Sequence, residues 1–275
     1  MPVAKLPSGV ELAYDDFDFG PPWLTKEAVV LVHGFTKNRK FWYPWIPELA
    51  KHYRVINVDV RGHNESSPLA ADMQMALTPF SDDLAQLLDA VEIDGAHFVM
   101  AEFSSAVAID FAARYANRIK GLVLAGFTYN LKAAKVPWDA WIELVETRGS
   151  GEWARQTNHT RLPADTDPAM RAWYTAQQGR IPNAVLAGIF RYIKGVDLTD
   201  RLAEVKVPTL ILAGEQAVQA PIADVKAAAA QMPNSRLEII AGVPFNVMNA
   251  APAQCVQKTL AFLDSLGQGA AASSL

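Results

Sequence analysis

The chain of 275 residues contains one cysteine, Cys255. A disulfide framework within the chain is therefore excluded. Cys255 lies in a helical pattern and reads as a buried structural thiol. No run approaches the roughly 18 apolar residues of a membrane span, although 51% of residues are apolar. No excess of positive charge exists either. A net charge of -4 argues against a nucleic-acid surface. Histidines number only five, and no cluster of His, Cys, Asp and Glu implies a metal. Phosphate loops of the G-x-G-x-x-G or Walker type are missing, so no cofactor is expected. The opening MPVAKLPSGVELAY lacks a basic-then-apolar leader. A cytoplasmic protein acting on a small molecule, with no membrane or nucleic-acid partner, is expected. Oligomeric state is not encoded in any of these features.

What is present is a series of short apolar runs. They fall at 28–34, 53–58, 97–100, 121–125, 209–213 and 237–240. Helix-period segments separate them at about 41–51, 81–92, 104–116, 221–231 and 251–265. Continuous apolar strands alternating with helices predict a mostly parallel sheet covered on both faces, an α/β fold. Function in such sheets sits at the carboxyl ends of the strands.

The alternation stops between 132 and 195. Four of the seven tryptophans fall here, on segments of helical pattern. This stretch is expected to be an inserted helical layer whose aromatics make a core, a pocket wall, or both. Trp138 and Trp141 are the candidate pocket residues. The domain reading is thus a core over 1–131 and 196–266, a helical cap over 132–195, and a flexible tail over 267–275.

The segments LVHGFTKNRKFW (31–42), VDVRGHNESS (58–67), HFVMAEFSSAVAIDFAARY (97–115), IKGLVLAG (119–126), VPTLILAGEQAVQAP (207–221) and IAGVPFNVMNAAPAQCVQKTLAFL (240–263) carry a resemblance. In order and spacing they resemble the α/β-hydrolase fold, in its capped esterase- and lactonase-like members. The resemblance covers nearly the whole chain. It implies a Ser nucleophile on a G-x-S-x-G elbow, an acid after a later strand and a His near the end.

All three positions differ in this chain. The elbow reads VMAEFSS, so the nucleophile position holds Glu102. The flanking glycine positions hold Met100 and Ser104, and the turn that usually reads RGHG has Asn64. The acid position falls on Ala217 and the His position on Phe245. An alternative acid position, Gly126-Phe127, has no carboxylate. Ser104 and Ser105 belong to the first helical turn and read as capping or packing residues. His33, His52, His63, His97 and His159 read as structural or solvated, and Asp59 as a structural partner of the RGH turn. Ordinary serine hydrolysis is not expected, because neither an activated hydroxyl nor its base remains.

The resemblance places two backbone donors of an oxyanion hole on Phe35 and Phe103. Backbone donors survive side-chain replacement. It also surrounds Glu102 with Phe35, Phe103, Ala217, Val218, Phe245 and cap aromatics. A carboxylate stripped of water is a stronger base than a hydrated one. The leading expectation is therefore general-base proton abstraction by Glu102 from an apolar or aromatic substrate. That chemistry is of the elimination, lyase or isomerase type, with benzisoxazole ring-opening as an example. Two alternatives stand beside it. Glu102 could be a carboxylate nucleophile towards halides, epoxides or esters, or the chain could be an inactive relative that binds hydrophobic ligands. Three coordinated replacements point to a repurposed pocket, and deliberate engineering is one origin that fits them.

Overall fold

A computed structural model describes residues 2–69 and 75–272, with side chains as far as residue 267. Eight strands form one sheet: β1 (Val3–Lys5), β2 (Glu11–Phe17), β3 (Ala28–Val32), β4 (Arg54–Val58), β5 (Ala96–Ala101), β6 (Ile119–Ala125), β7 (Thr209–Gly214) and β8 (Ser235–Ile240). Their spatial order is β1-β2-β4-β3-β5-β6-β7-β8. The six strands from β4 to β8 in that order are parallel. The first two pair antiparallel and extend one edge. They were not legible as apolar runs because their sequences, VAK and ELAYDDF, alternate or turn polar along a half-exposed edge.

Alternate residues of the central strands feed two separate cores. Val30, Val32, Phe98, Met100, Leu122 and Leu124 pack with helices α2 (Thr78–Ala90) and α3 (Ser104–Arg114). Val29, Leu31, Val99, Ala101, Val123 and Ala125 pack with α1 (Ile46–His52) and α10 (Pro252–Ala272). Period-2 alternation with both faces buried explains why these strands read as unbroken apolar runs. The helix expected over 41–51 is divided. A 3-10 turn spans Arg39–Trp42 and α1 begins at Ile46. Pro44 lies between them and has no N–H to carry the helical hydrogen-bond ladder across the gap.

Between β6 and β7 the chain forms α4 (Trp138–Arg148), α5 (Ser150–Thr157), α6 (Pro168–Gln178) and α7 (Asn183–Ile193). Helix α8 (Ile222–Ala229) and the short α9 (Val247–Ala250) follow β7 and β8. Helix α10 runs to Ala272, into the stretch expected to be a flexible tail. Residues 273–275 lie outside the described residues.

The chain runs from β3 outward to β4, then returns to place β5 on the other side of β3. The loops after β3 and β5 diverge at this switch point and leave a crevice between them. Ligand crevices in open α/β sheets form at such points. Cys255 is buried within α10, and burial pushes its thiol up to about 12.

Candidate active site

The strand β5 ends at Ala101, and α3 begins three residues later. The intervening turn has Glu102 at φ +52°, in the left-handed region. For a residue with a Cβ this costs on the order of 1 kcal/mol or more. The Glu102 N–H donates to the Ala125 carbonyl at 2.9 Å, which fixes the turn to β6. The strained elbow thus persists with Met100 and Ser104 in the glycine positions. Met100 does so by pointing its side chain into the sheet core, where it is fully buried. Ser104 does not cap the helix: its hydroxyl donates to the His33 carbonyl and ties the elbow to the loop after β3.

Gly34 gives the Glu102 side chain its space. A Cβ on Gly34 would lie 2.7 Å from Glu102 Oε2 and 3.1 Å from its Cβ. Two histidines hold the same loop. His33 Nε2 accepts from the Val60 N–H at 3.1 Å, so its Nδ1–H donates to the Gly34 carbonyl at 2.9 Å. His63 Nε2 lies 2.8 Å from the Phe35 carbonyl. Burial holds both imidazoles below the usual histidine range, His33 well below it. Asp59 pairs with Arg39 and receives Asn64 Nδ2 at 3.2 Å. These groups build the loop and stand outside the cavity.

The expectation of a purely apolar surround for Glu102 is corrected. Lys37 Nζ contacts Glu102 Oε1 in a buried ion pair, with side chains 0% and 6% exposed. Lys37 also donates to Asn246 Oδ1 at 3.1 Å. The rings of Phe41 and Tyr174 lie 5.8 Å from its ammonium. Burial is the largest influence on Lys37 and lowers its pKa to about 8, against the raising effect of Glu102. Burying an ion costs several kcal/mol, so Lys37 and Glu102 each need the other. Lys37 sits in LVHGFTKNRKFW, where nothing distinguishes it from a surface lysine. Only the turn that joins its N–H to the Gly34 carbonyl at 2.8 Å carries it inward.

Glu102 lines a cavity with Phe35, Thr36, Phe103, Thr128, Leu131, Trp138, Trp141, Trp153, Arg161, Ile189, Phe190, Ile193, Gln219 and Phe245. Trp138, Trp141, Trp153 and Phe190 form one aromatic cluster, with ring centroids 5.1–5.9 Å apart. The same rings therefore make both a helical core and a pocket wall. Of the candidates named from sequence, Phe35, Phe103, Phe245, Trp138 and Trp141 line this cavity beside Glu102. Met100, Ala217 and Val218 do not. Met100 belongs to the sheet core, and Ala217 is buried in the hydrophobic core beneath the loop after β7. Val218 is 59% exposed and lines a neighbouring cavity with Tyr129, Asn130 and Asp224. Among the described residues, the backbone N–H groups of Phe35 and Phe103 have no protein acceptor.

Arg161 is the polar group that sequence reasoning missed in the wall. It is 4% exposed and carried on the loop after α5. Its Nη2 donates to Thr157 Oγ1 at 2.8 Å and to Gln178 Oε1 at 3.3 Å. The guanidinium lies 4.5 Å from the Trp153 ring centroid. Such a cation–π contact contributes about 2 kcal/mol when desolvated. That is less than the several kcal/mol needed to bury an ion. Gln178 in turn donates to the Thr36 carbonyl at 3.1 Å, joining α6 to the loop after β3. Among the described residues, no three His, Cys, Asp or Glu side chains group closely enough to hold a metal ion. No helix among them is long and apolar enough to cross a membrane.

A parallel sheet with an elbow after β5 and a crevice at its switch point defines a class. Residues 27–247 match the family described as the alpha/beta hydrolase fold, and the chain belongs to that family. It is 28% identical over 195 residues to 3-oxoadipate enol-lactonase 1 of Acinetobacter baylyi, covering 68% of this chain and 70% of that protein. It is 26% identical to the non-heme chloroperoxidase CPO-A1 of Kitasatospora aureofaciens, covering 88% and 91% of the two chains. The enol-lactonase structure from Burkholderia xenovorans LB400 superposes with a TM-score of 0.84, at 21% identity, covering 96% of this chain and all of that one. Its relatives by sequence are enzymes, hydrolases among them.

Proposed function

We propose that this protein is an enzyme in which Glu102 acts as a general base, taking a proton from an apolar or aromatic carbon acid. The observation that carries the reading is a carboxylate at the strained elbow, lining an aromatic cavity, with no hydroxyl–imidazole pair beside it among the described residues. Phe245 occupies the place where a general-base histidine would stand. Lys37 engages Oε1, holds the carboxylate in place, and leaves Oε2 as the proton acceptor. A substrate C–H bond gives its proton to Oε2, and its electron pair moves into the substrate as the leaving bond breaks. The N–H groups of Phe35 and Phe103 receive the negative charge that develops. Residues 132–195, read as a cap, supply the rings that hold a flat substrate and exclude water. Several relatives' names indicate hydrolysis, and Glu102 and Phe245 at the positions expected for serine and histidine argue against serine-based hydrolysis in this chain.

The test is a pH–rate profile on a benzisoxazole. A single ionisation is expected, and Glu102→Gln should remove the catalysed rate while Glu102→Asp retains part of it. Full activity in Glu102→Gln overturns the reading. So does tight binding of the benzisoxazole with no turnover, which would make the cavity a binding site only.

A second reading makes Glu102 a nucleophile towards halides, epoxides or esters, and its seat on the elbow favours it. Water must then be activated to release the ester, and Phe245 cannot do so. A stable mass adduct on Glu102 after incubation with an alkyl halide would favour this reading.

A further inference from the structure

Two buried cations, Arg161 in the cavity wall and Lys37 behind Glu102, stand against one carboxylate in that wall, Glu102. Lys37 and Glu102 satisfy each other. Arg161 makes no salt bridge among the described residues, and its side-chain acceptors, Thr157 and Gln178, are neutral. Its Nε–H is buried and meets no acceptor within hydrogen-bond geometry among the described residues, and the nearby Tyr174 hydroxyl is neutral too. A permanently charged guanidinium with an unused donor, in a cavity wall, asks for an anion. The rest of that wall is mainly aromatic and aliphatic.

We propose that Arg161 is the anion-receiving end of this cavity, and that the substrate is a small monocarboxylate with a flat apolar body. Charge balance selects the carboxylate. One uncompensated positive charge matches a monoanion, whereas a phosphate ester would bring about 1.5 to 2 negative charges. The planar guanidinium also matches a planar carboxylate. The carboxylate sits on Arg161, and the apolar body lies along Trp141, Trp153 and Phe190. The reacting C–H then faces Glu102. This deepens the function proposed above, and it rests on that reading in taking this cavity as the substrate's.

Binding rather than turnover tests it. Phenylacetate, 2-phenylacetamide and phenyl phosphate are titrated into the intact protein by calorimetry, with tryptophan fluorescence as a second readout. Phenylacetate should bind at least 10-fold more tightly than the amide, and more tightly than phenyl phosphate. Arg161→Gln should weaken phenylacetate about 10- to 100-fold and leave the amide nearly unchanged. Arg161→Lys should keep part of the preference. Equal binding of phenylacetate and the amide to the unaltered protein, or binding of neither, overturns the proposal even if the variants fail to fold. A carboxylate preference that survives in Arg161→Gln also overturns it, and stronger binding of phenyl phosphate overturns the choice of carboxylate. A carboxylate preference together with no turnover of benzisoxazole would count against the base role of Glu102 alone. Turnover of neutral benzisoxazole with no carboxylate preference would count against Arg161 alone.

Discussion

Lys37 and Glu102 meet as an ion pair from loops 65 residues apart in the chain. Lys37 is fully buried and Glu102 nearly so. The pair turns the elbow carboxylate from an isolated charge in an apolar pocket into one half of a neutral unit. Asn246, from the loop after β8, completes the hold on the lysine. Three loops that follow β3, β5 and β8 thereby converge on one group.

Breaking that pair from one side should be costly. Glu102→Gln leaves the Lys37 ammonium buried without a counter-charge, a loss of about 3–5 kcal/mol. Combining Lys37→Met with Glu102→Gln should recover most of it, because both charges leave together. Urea unfolding of the single and double variants measures the difference. Equal stability of single and double variants would show the pair to be energetically idle.

Gly34 and Gly188 should answer alanine in opposite ways. At Gly34 the new Cβ meets Glu102 Oε2 at 2.7 Å and the Ala101 carbonyl at 3.2 Å. Gly34→Ala is expected to cost about 1–3 kcal/mol and to displace the carboxylate. Its rate on a carbon acid should fall at least about 10-fold for a displacement near 1 Å. Gly188 lies within α7 with nothing within 4 Å of an added Cβ. Gly188→Ala should raise stability by up to about 1 kcal/mol through helix propensity. Thermal melts and rates of the two variants check both halves.

Acid should destabilise the protein from about pH 6.5 downward, above the range of ordinary carboxylates. Burial lowers the pKa of His33, His63 and His97 in the folded state. Well above pH 6.5 these groups are neutral in both states, and their contribution to stability is intact. As pH falls towards the folded values, the unfolded chain binds protons that the folded one refuses, so stability is lost. Unfolding near pH 6 should take up protons at these three groups. The slope of urea stability against pH between 5 and 7 gives their number directly. A flat profile there would contradict neutral burial of the imidazoles.

Phe245→His should distinguish the two roles of Glu102. It places an imidazole where the nucleophile reading lacks its water-activating base. If Glu102 forms an ester, repeated turnover of an alkyl halide should appear in this variant and the mass adduct should shorten in lifetime. If Glu102 acts only as a base, no halide turnover should appear. Halide consumption and intact-mass spectra report the outcome.

The five inner parallel strands were legible because burial on both faces leaves continuous apolar runs such as AVVLV and AHFVMA, and the edge strand β8 was legible only from its shorter run LEII. Glu102 could be placed at the elbow because the segments before and after it leave no gap. The assignment of Val218 failed for a local reason: its loop turns the side chain into solvent and towards the neighbouring cavity. Lys37 and Arg161 were missed because a lysine in a loop and an arginine after a helix carry no local mark of burial.

By itself the sequence determined the layered sheet, since that follows from periodicity and chain order, while the elbow and the places of serine and histidine were expectations from the resemblance to the α/β-hydrolase fold. Only the tertiary structure decided the charge state of the site. Which cations are drawn out of water depends on how loops distant in sequence close over one another, and that closure pairs Lys37 with Glu102 while leaving Arg161 without an anion.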